Sequence, residues 1–174
     1  MLLSESLLTE MQTAAATRLF EMDATLLVAG TGVGKTVIAL TAITDMIQWG
    51  HLESVIVVAP AKVVEKGVWW REAAKWEHLH YLNIVSLVGN AQEREALIDE
   101  SADIHVVSLN NLAWLLERGT QWAGGIVVDE LSKAAGKQAR GLRGKKKAGH
   151  LKFRVGMTAT PVAQDFLKLF DMAR

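Results

Sequence analysis

The sequence predicts an α/β fold, with a mainly parallel sheet covered by helices on both faces. Three observations carry this. Short runs of apolar and β-branched residues recur at 25–29, 55–59, 84–88, 104–108, 125–128 and 153–157. Helical patterns lie between or beside them, at 5–22, 35–49, 63–76, 92–100, 110–117 and 163–172. The strand runs are apolar throughout instead of alternating, the pattern of strands buried on both faces. Parallel strands need crossover connections, and the interleaved helices supply them.

The chain has 174 residues, enough for one domain, and 50% of them are hydrophobic, which suits such a sheet. Cysteine is absent, which excludes a disulfide framework, a thiolate zinc site and a thiol nucleophile. No apolar run approaches the length of a membrane span, and the N-terminus has no targeting pattern, so an intracellular protein is expected. The formal net charge is zero, yet nine Lys or Arg residues and no carboxylate fall between Lys133 and Arg154. Within that stretch 136–149 is rich in Gly, Lys and Arg and reads as a flexible loop, bounded at about 133–152.

The first strand run is followed by Ala29-Gly30-Thr31-Gly32-Val33-Gly34-Lys35-Thr36. Glycines let successive backbone N–H groups turn inward at a helix N-terminus, which forms an anion nest. Lys35 can then reach the β- and γ-phosphates of a nucleoside triphosphate, and the Thr36 hydroxyl can ligate Mg²⁺. The expected phosphate-binding residues are Gly30 to Thr36. The generic pattern wants glycine where Ala29 stands, and a chance glycine-rich turn is the competing reading. The intact Gly-Lys-Thr after an apolar strand favours MgATP or MgGTP.

A second apolar strand ends in Asp129-Glu130-Leu131-Ser132. Two carboxylates at the C-terminal edge of a parallel sheet stand where ligands bind in open α/β folds. Asp129 suits a Mg²⁺-organising role and Glu130 the activation of the attacking water. Alone this is weak, since many solvated strand ends carry acids; beside the phosphate loop it gains weight.

Taken in order, Gln12, AGTGVGKT, VIVVAPAKVV, VVDELS and MTATP resemble the first RecA-like lobe of superfamily 2 helicases and translocases, and the Swi/Snf-like branch in particular. Pro60 to Val64 followed by Trp69, Glu72, Lys75 and Trp76 is similar to that branch's motif Ia region, and Gly156 to Gln164 to its motif III. The resemblance covers residues 8–172 and implies a three-layer RecA-like P-loop NTPase lobe. It further implies adenine recognition by Gln12, hence ATP, and coupling of the γ-phosphate site to the nucleic-acid side by Thr158 and Thr160. Motif Ia places Pro60 and Lys62 against nucleic-acid phosphates. Ser108, Asn110 and Asn111 fall where motif Ib usually does, and are equally suited to capping a helix.

The sequence also departs from the family pattern. Leu131-Ser132 replaces Ala-His in motif II, and Gln164 stands where asparagine is expected. Motifs IV to VI and the second lobe, with its arginine fingers, have no counterpart. An arginine finger is worth about 10³–10⁵ in rate. The expectation is a single lobe over 1–174, a weak ATPase alone, working with a second RecA-like lobe supplied in trans or in a longer protein. Compact members of the branch occur in phages, which suggests a phage-encoded protein in the cytoplasm or at the nucleoid.

The basic stretch has two readings. It is either a solvated surface loop or a track for nucleic-acid backbone, double-stranded DNA above all, with Lys133, Lys137 and Arg140 as contacts. The runner-up function is a non-catalytic nucleic-acid-binding module that retains an ATP-site fold; a small-molecule kinase is disfavoured by the Thr-Ala-Thr-Pro ending. Trp69 and Trp76, seven apart on one predicted helix, read as core or lobe-interface packing. His78 and His80, on either side of Leu79, read as surface residues.

Overall fold

The structure is a computed structural model and describes residues 1–98, 100–133 and 150–160. Six strands form one sheet: β1 (Ala24–Val28), β2 (Val55–Ala59), β3 (Ile84–Leu87), β4 (Ile104–Ser108), β5 (Gly125–Val128) and β6 (Phe153–Thr158). Their order is β1-β6-β5-β2-β4-β3, and every pairing is parallel. The described helices are α1 (Glu10–Glu21), α2 (Lys35–Gln48), α3 (Ala61–Glu65), α4 (Val68–Ala73), α5 (Ala91–Ile98) and α6 (Leu112–Arg118).

Strand side chains alternate between two cores, as the two-residue period requires. Val55, Val57 and Ala59 join one core with Ile38, Leu40 and Ile43 of α2 and with Leu19 and Trp69. Ile56 and Val58 face the other way, into a core with Leu112, Leu115 and Leu116 of α6 and Ile98 of α5. Both faces are thus covered, the three-layer arrangement the apolar strand runs predict.

Two predicted helices are interrupted. The 5–22 pattern becomes a 3₁₀ turn, Glu5–Leu7, followed by α1. The break is set by Thr9, whose hydroxyl accepts from Gln12 N while Gln12 Oε1 accepts from Thr9 N, a reciprocal capping box. The 63–76 pattern splits at Gly67, whose φ of +58° ends α3 and starts α4. Trp76 therefore lies beyond α4, although both Trp69 and Trp76 are buried as expected. Trp70, between them, is exposed. A 3₁₀ turn at Leu109–Asn111 precedes α6, and another spans Leu131–Lys133. The predicted 163–172 helix lies outside the described residues.

His78 departs from the surface reading: it is half-buried and its Nε2 pairs with Thr41 Oγ1 at 3.0 Å, whereas His80 is exposed. Burial lowers the His78 pKa, against the raising influence of Glu5 and Asp45. His105 in β4 is more extreme, only 2% exposed with its ring edge-on to Trp122 at 4.7 Å. Burial lowers its pKa too, with the Glu100 and Leu97 backbone and the Glu100 charge opposing.

A depressed histidine pKa means the unfolded chain binds the proton more readily. Stability is therefore complete above the ordinary value of 6.5 and falls as pH drops below it. Urea unfolding at a series of pH values should show this fall, and His105→Phe should remove part of it. An unaltered profile in that variant would refute the assignment.

Candidate nucleotide site at the C-terminal edge of the sheet

Because all strands run in one direction, the carboxyl ends of β1, β6 and β5 lie side by side. The glycine-rich loop leaves β1, Thr158 ends β6, and Asp129 follows β5. Strands are about 4.8 Å apart, so β1 and β5, with β6 between them, run about 10 Å apart. Two backbone bonds extend the ladders into the site: Ala29 N donates to Thr158 O at 3.1 Å, and Asp129 N donates to Val58 O at 2.8 Å.

The loop delivers α2 with its N-terminus open. Gly34 is the N-cap at φ +85°, and no side chain caps the helix. The first-turn N–H groups remain available for an anion, and the helix dipole favours one there. A Cβ at 34 would also lie 2.5 Å from Gln12 Nε2, so that amide would have to move from its place. Gln12 itself bridges the N-cap of α1 and the loop, with Nε2 donating to Val33 O at 3.0 Å. An amide has two donors and an acceptor with two lone pairs, so one N–H and one lone pair are left beyond these two bonds.

Lys35 Nζ donates to Ala29 O at 2.9 Å and to Gly30 O at 2.8 Å, folding the ammonium back on its own loop. Thr36 follows on the first turn of α2, half-buried. Lys35 also lies close enough to Asp129 to stabilise its charge. Burial dominates Asp129, however, and with the neighbouring Glu130 charge it raises the carboxyl above its ordinary value of 3.8; the Glu130 N–H, Lys35 and the Trp69 indole oppose that rise. Glu130 has φ +53°, the left-handed region, unlike any other described non-glycine residue. A conformation of that kind costs on the order of 1–3 kcal/mol and clusters at functional sites. The turn that holds it is anchored by Leu131, 1% exposed in the second core, and by Lys133 N donating to Glu130 O at 2.8 Å.

Thr158 is fully buried; its hydroxyl donates to Thr160 O at 3.1 Å and accepts from Thr160 N at 3.3 Å. Pro60 is the N-cap of α3, directly after β2, and Lys62 is exposed on that helix. Neither Ser108 nor Asn111 makes a side-chain capping bond, although they occupy N-cap positions. Lys133 is exposed at the end of its turn, apart from the phosphate loop in sequence and strand. Lys137 and Arg140 lie outside the described residues. The structure therefore brings Gln12, the 30–36 loop, Asp129, Glu130 and Thr158 onto neighbouring strand ends, with Lys62 on the helix after β2. The sequence reading missed the neighbour of Asp129 on α4, Trp69, because a buried tryptophan at helical spacing reads as packing alone.

An all-parallel sheet with an uncapped helix after a glycine-rich loop, facing an acidic strand end, defines a nucleotide-binding lobe of the P-loop type. The chain belongs to the family described as type III restriction enzyme, res subunit, whose model matches residues 5–163; it is a superfamily 2 helicase-type ATPase lobe. It is 31% identical over 156 residues to protein p41 of Acyrthosiphon pisum secondary endosymbiont phage 1, covering 83% of this chain and 34% of that protein. The fold resembles the Sulfolobus solfataricus SWI2/SNF2 ATPase core, solved in complex with double-stranded DNA, with a TM-score of 0.74, 20% identity and coverage of 95% of this chain and 34% of that one. The UvsW helicase of bacteriophage T4 superposes with a TM-score of 0.69 and 15% identity over 88% of this chain and 52% of its own. The chain thus spans about a third of the length of p41 and of the SWI2/SNF2 core. Among the described residues no helix is long and apolar enough to cross a membrane.

A raised carboxyl pKa means that ionised Asp129 destabilises the fold at neutral pH, a cost that disappears as pH falls toward 3.8. Asp129→Asn should therefore raise the thermal midpoint at neutral pH. The gain should shrink in acid. Differential scanning fluorimetry across pH checks both the sign and its trend.

Proposed function

We propose that this chain is the ATP-binding and hydrolysing lobe of a nucleic-acid-dependent motor. The observation that supports it most is the convergence of an uncapped α2 N-terminus, Lys35, Asp129 and Glu130 on adjacent strand ends. The backbone N–H groups of residues 30–36 bind the phosphates, and Lys35 exchanges its two loop carbonyls for phosphate oxygens. A Mg²⁺ ion bound with the nucleotide would supply positive charge to the phosphate oxygens. The Thr36 hydroxyl and Asp129 carboxylate fit it chemically, being oxygen donors few enough to leave positions for phosphate and water.

Glu130 accepts the proton of the attacking water, and its left-handed backbone directs it away from the β5 strand line. Gln12 reads the adenine edge with its unspent donor and acceptor. Thr158 links the site to the adjacent strand through Ala29.

The nucleic-acid side lies along the same sheet edge, where Pro60, Lys62 and the uncapped Ser108 and Asn111 follow β2 and β4. In sequence, the basic stretch that holds Lys133, Lys137 and Arg140 supplies the positive charge for such contact. Contact is with backbone, so affinity falls with salt and is indifferent to base sequence. The double-stranded DNA in the SWI2/SNF2 complex makes duplex DNA the first track to try. A second RecA-like lobe completes the motor by contributing cationic groups to the transferred phosphate.

Lys35→Ala should weaken MgATP binding by tenfold or more, and Glu130→Gln should preserve binding and remove turnover, on the order of 10²-fold or more. The assay is ATP hydrolysis with and without duplex DNA and with a second lobe supplied. DNA retention that is salt-sensitive yet indifferent to ATP and to Glu130→Gln would instead mark a non-catalytic binding module.

A further inference from the structure

Gln12 is held by the capping box with Thr9 and by its bond to Val33 O, yet the helical turn around it has no core of its own. The buried residues of α1 are Ala16 and Leu19, further along, while Glu10, Met11, Thr13 and Ala14 are exposed. This end of α1 is fixed from the residues before it. Leu3 forms an isolated parallel bridge with Trp76: Leu3 N donates to Lys75 O at 2.7 Å, and Glu77 N donates to Leu3 O at 2.9 Å. From there the chain has little slack. Leu7 N donates to Ser4 O at 3.0 Å and Leu8 N to Glu5 O at 2.9 Å. Leu8 packs, partly buried, against the first core, and Thr9 begins the capping box.

The seat of Leu3 is itself fixed. Trp76 is buried, its indole nitrogen donates to Glu72 Oε1 at 3.0 Å, and Glu72 Oε2 accepts from Lys75 Nζ at 2.6 Å. Two residues on, His78 reaches α2. Thr41 Oγ1 spends its one proton on Val37 O at 2.9 Å, so it accepts from His78 Nε2 at 3.0 Å. The turn at 75–78 thus grips both the segment leading to Gln12 and the helix that begins at Lys35.

We propose that Leu3 is a positioning residue for base recognition: its two backbone bonds to the 75–78 turn fix Gln12 against the phosphate loop and so set the preference for adenine. The inference rests on the reading of Gln12 above and adds to it a part for residues 1–8. By reciprocity, a base that engages Gln12 must tighten the bridge at Leu3 as much as the bridge improves its binding.

The test is competition binding of ATP and GTP to the full chain and to two variants. Leu3→Pro removes the N–H of the bridge, and Leu3→Ala keeps it. Leu3→Pro should weaken ATP binding about fivefold and leave GTP binding as it was, whereas Leu3→Ala should keep the wild-type preference. A preference that Leu3→Pro leaves intact overturns the inference. So does an equal loss for both nucleotides, which would mean altered packing alone, and so does an equal effect of the two variants, which would assign the hold to the side chain. A wild-type chain that binds both nucleotides alike overturns the reading of Gln12 itself, a distinguishable failure. Should Leu3→Pro not fold, hydrogen exchange of the Glu77 N–H in the wild-type chain decides. ATP should slow it and GTP should not; exchange that ignores ATP overturns the proposal.

Discussion

The common direction of the six strands is the constraint from which the site follows. In a parallel sheet every strand releases the chain at the same edge, and every crossover helix begins there. Loops after β1, β2, β4, β5 and β6 therefore gather along one rim, with helix N-termini facing it. Such a rim attracts anions before any side chain is chosen. The order β1-β6-β5 then sets the three strand ends of the site next to one another, although they are far apart in sequence.

What distinguishes the ends of this rim is how each helix start is spent. Thr9 and Gln12 close the start of α1, and Asn90 Oδ1 accepts from Gln92 N and Glu93 N at the start of α5. The start of α2 receives no such side chain, because its cap is Gly34, and the starts of α3, α4 and α6 also lack a side-chain cap. The capped helices have their orphan donors satisfied locally, whereas those of α2 are left open directly after the glycine-rich loop. Gln12 belongs to both conditions, since the residue that completes the α1 cap also reaches Val33 in the open loop. Displacing α1 would thus be felt at the phosphate loop.

The sheet and the phosphate loop were legible because they rest on local rules. Continuous apolar runs mark strands buried on both faces, and Gly-Lys-Thr after such a run marks a loop opening a helix. Helix interruptions were less legible. Thr9-Glu10-Met11-Gln12 carries a capping-box pattern, yet the apolar spacing across it conceals the break. Gly67 sits within an otherwise helical stretch, yet its left-handed backbone divides it, with buried Trp69 and exposed Trp70 following the break. His78 looked like a surface residue because its hydrogen-bond partner, Thr41, is on α2, 37 positions away. Trp69 escaped for the same reason: nothing local to α4 reveals that an acidic strand end lies beside it.

The residues at the acidic end are held in states that the isolated fold disfavours. Asp129 is pressed toward protonation by burial and by Glu130, and Glu130 takes a backbone conformation that glycine or asparagine would adopt more easily. Lys35, meanwhile, spends two of its three donors on loop carbonyls. Two of these tensions have the same sense, for a polyanion with its cation would draw Lys35 from its loop carbonyls and favour ionised Asp129. Strain of this kind persists only where the surroundings over-determine it. Here the over-determination is visible in Leu131 in the second core, the Asp129–Val58 backbone bond and the β5–β6 ladder, all rigid features of the sheet. The fold thus bears a standing stability cost at one strand end, and the nucleotide proposed above, with its cation, would offset the Asp129 share of it.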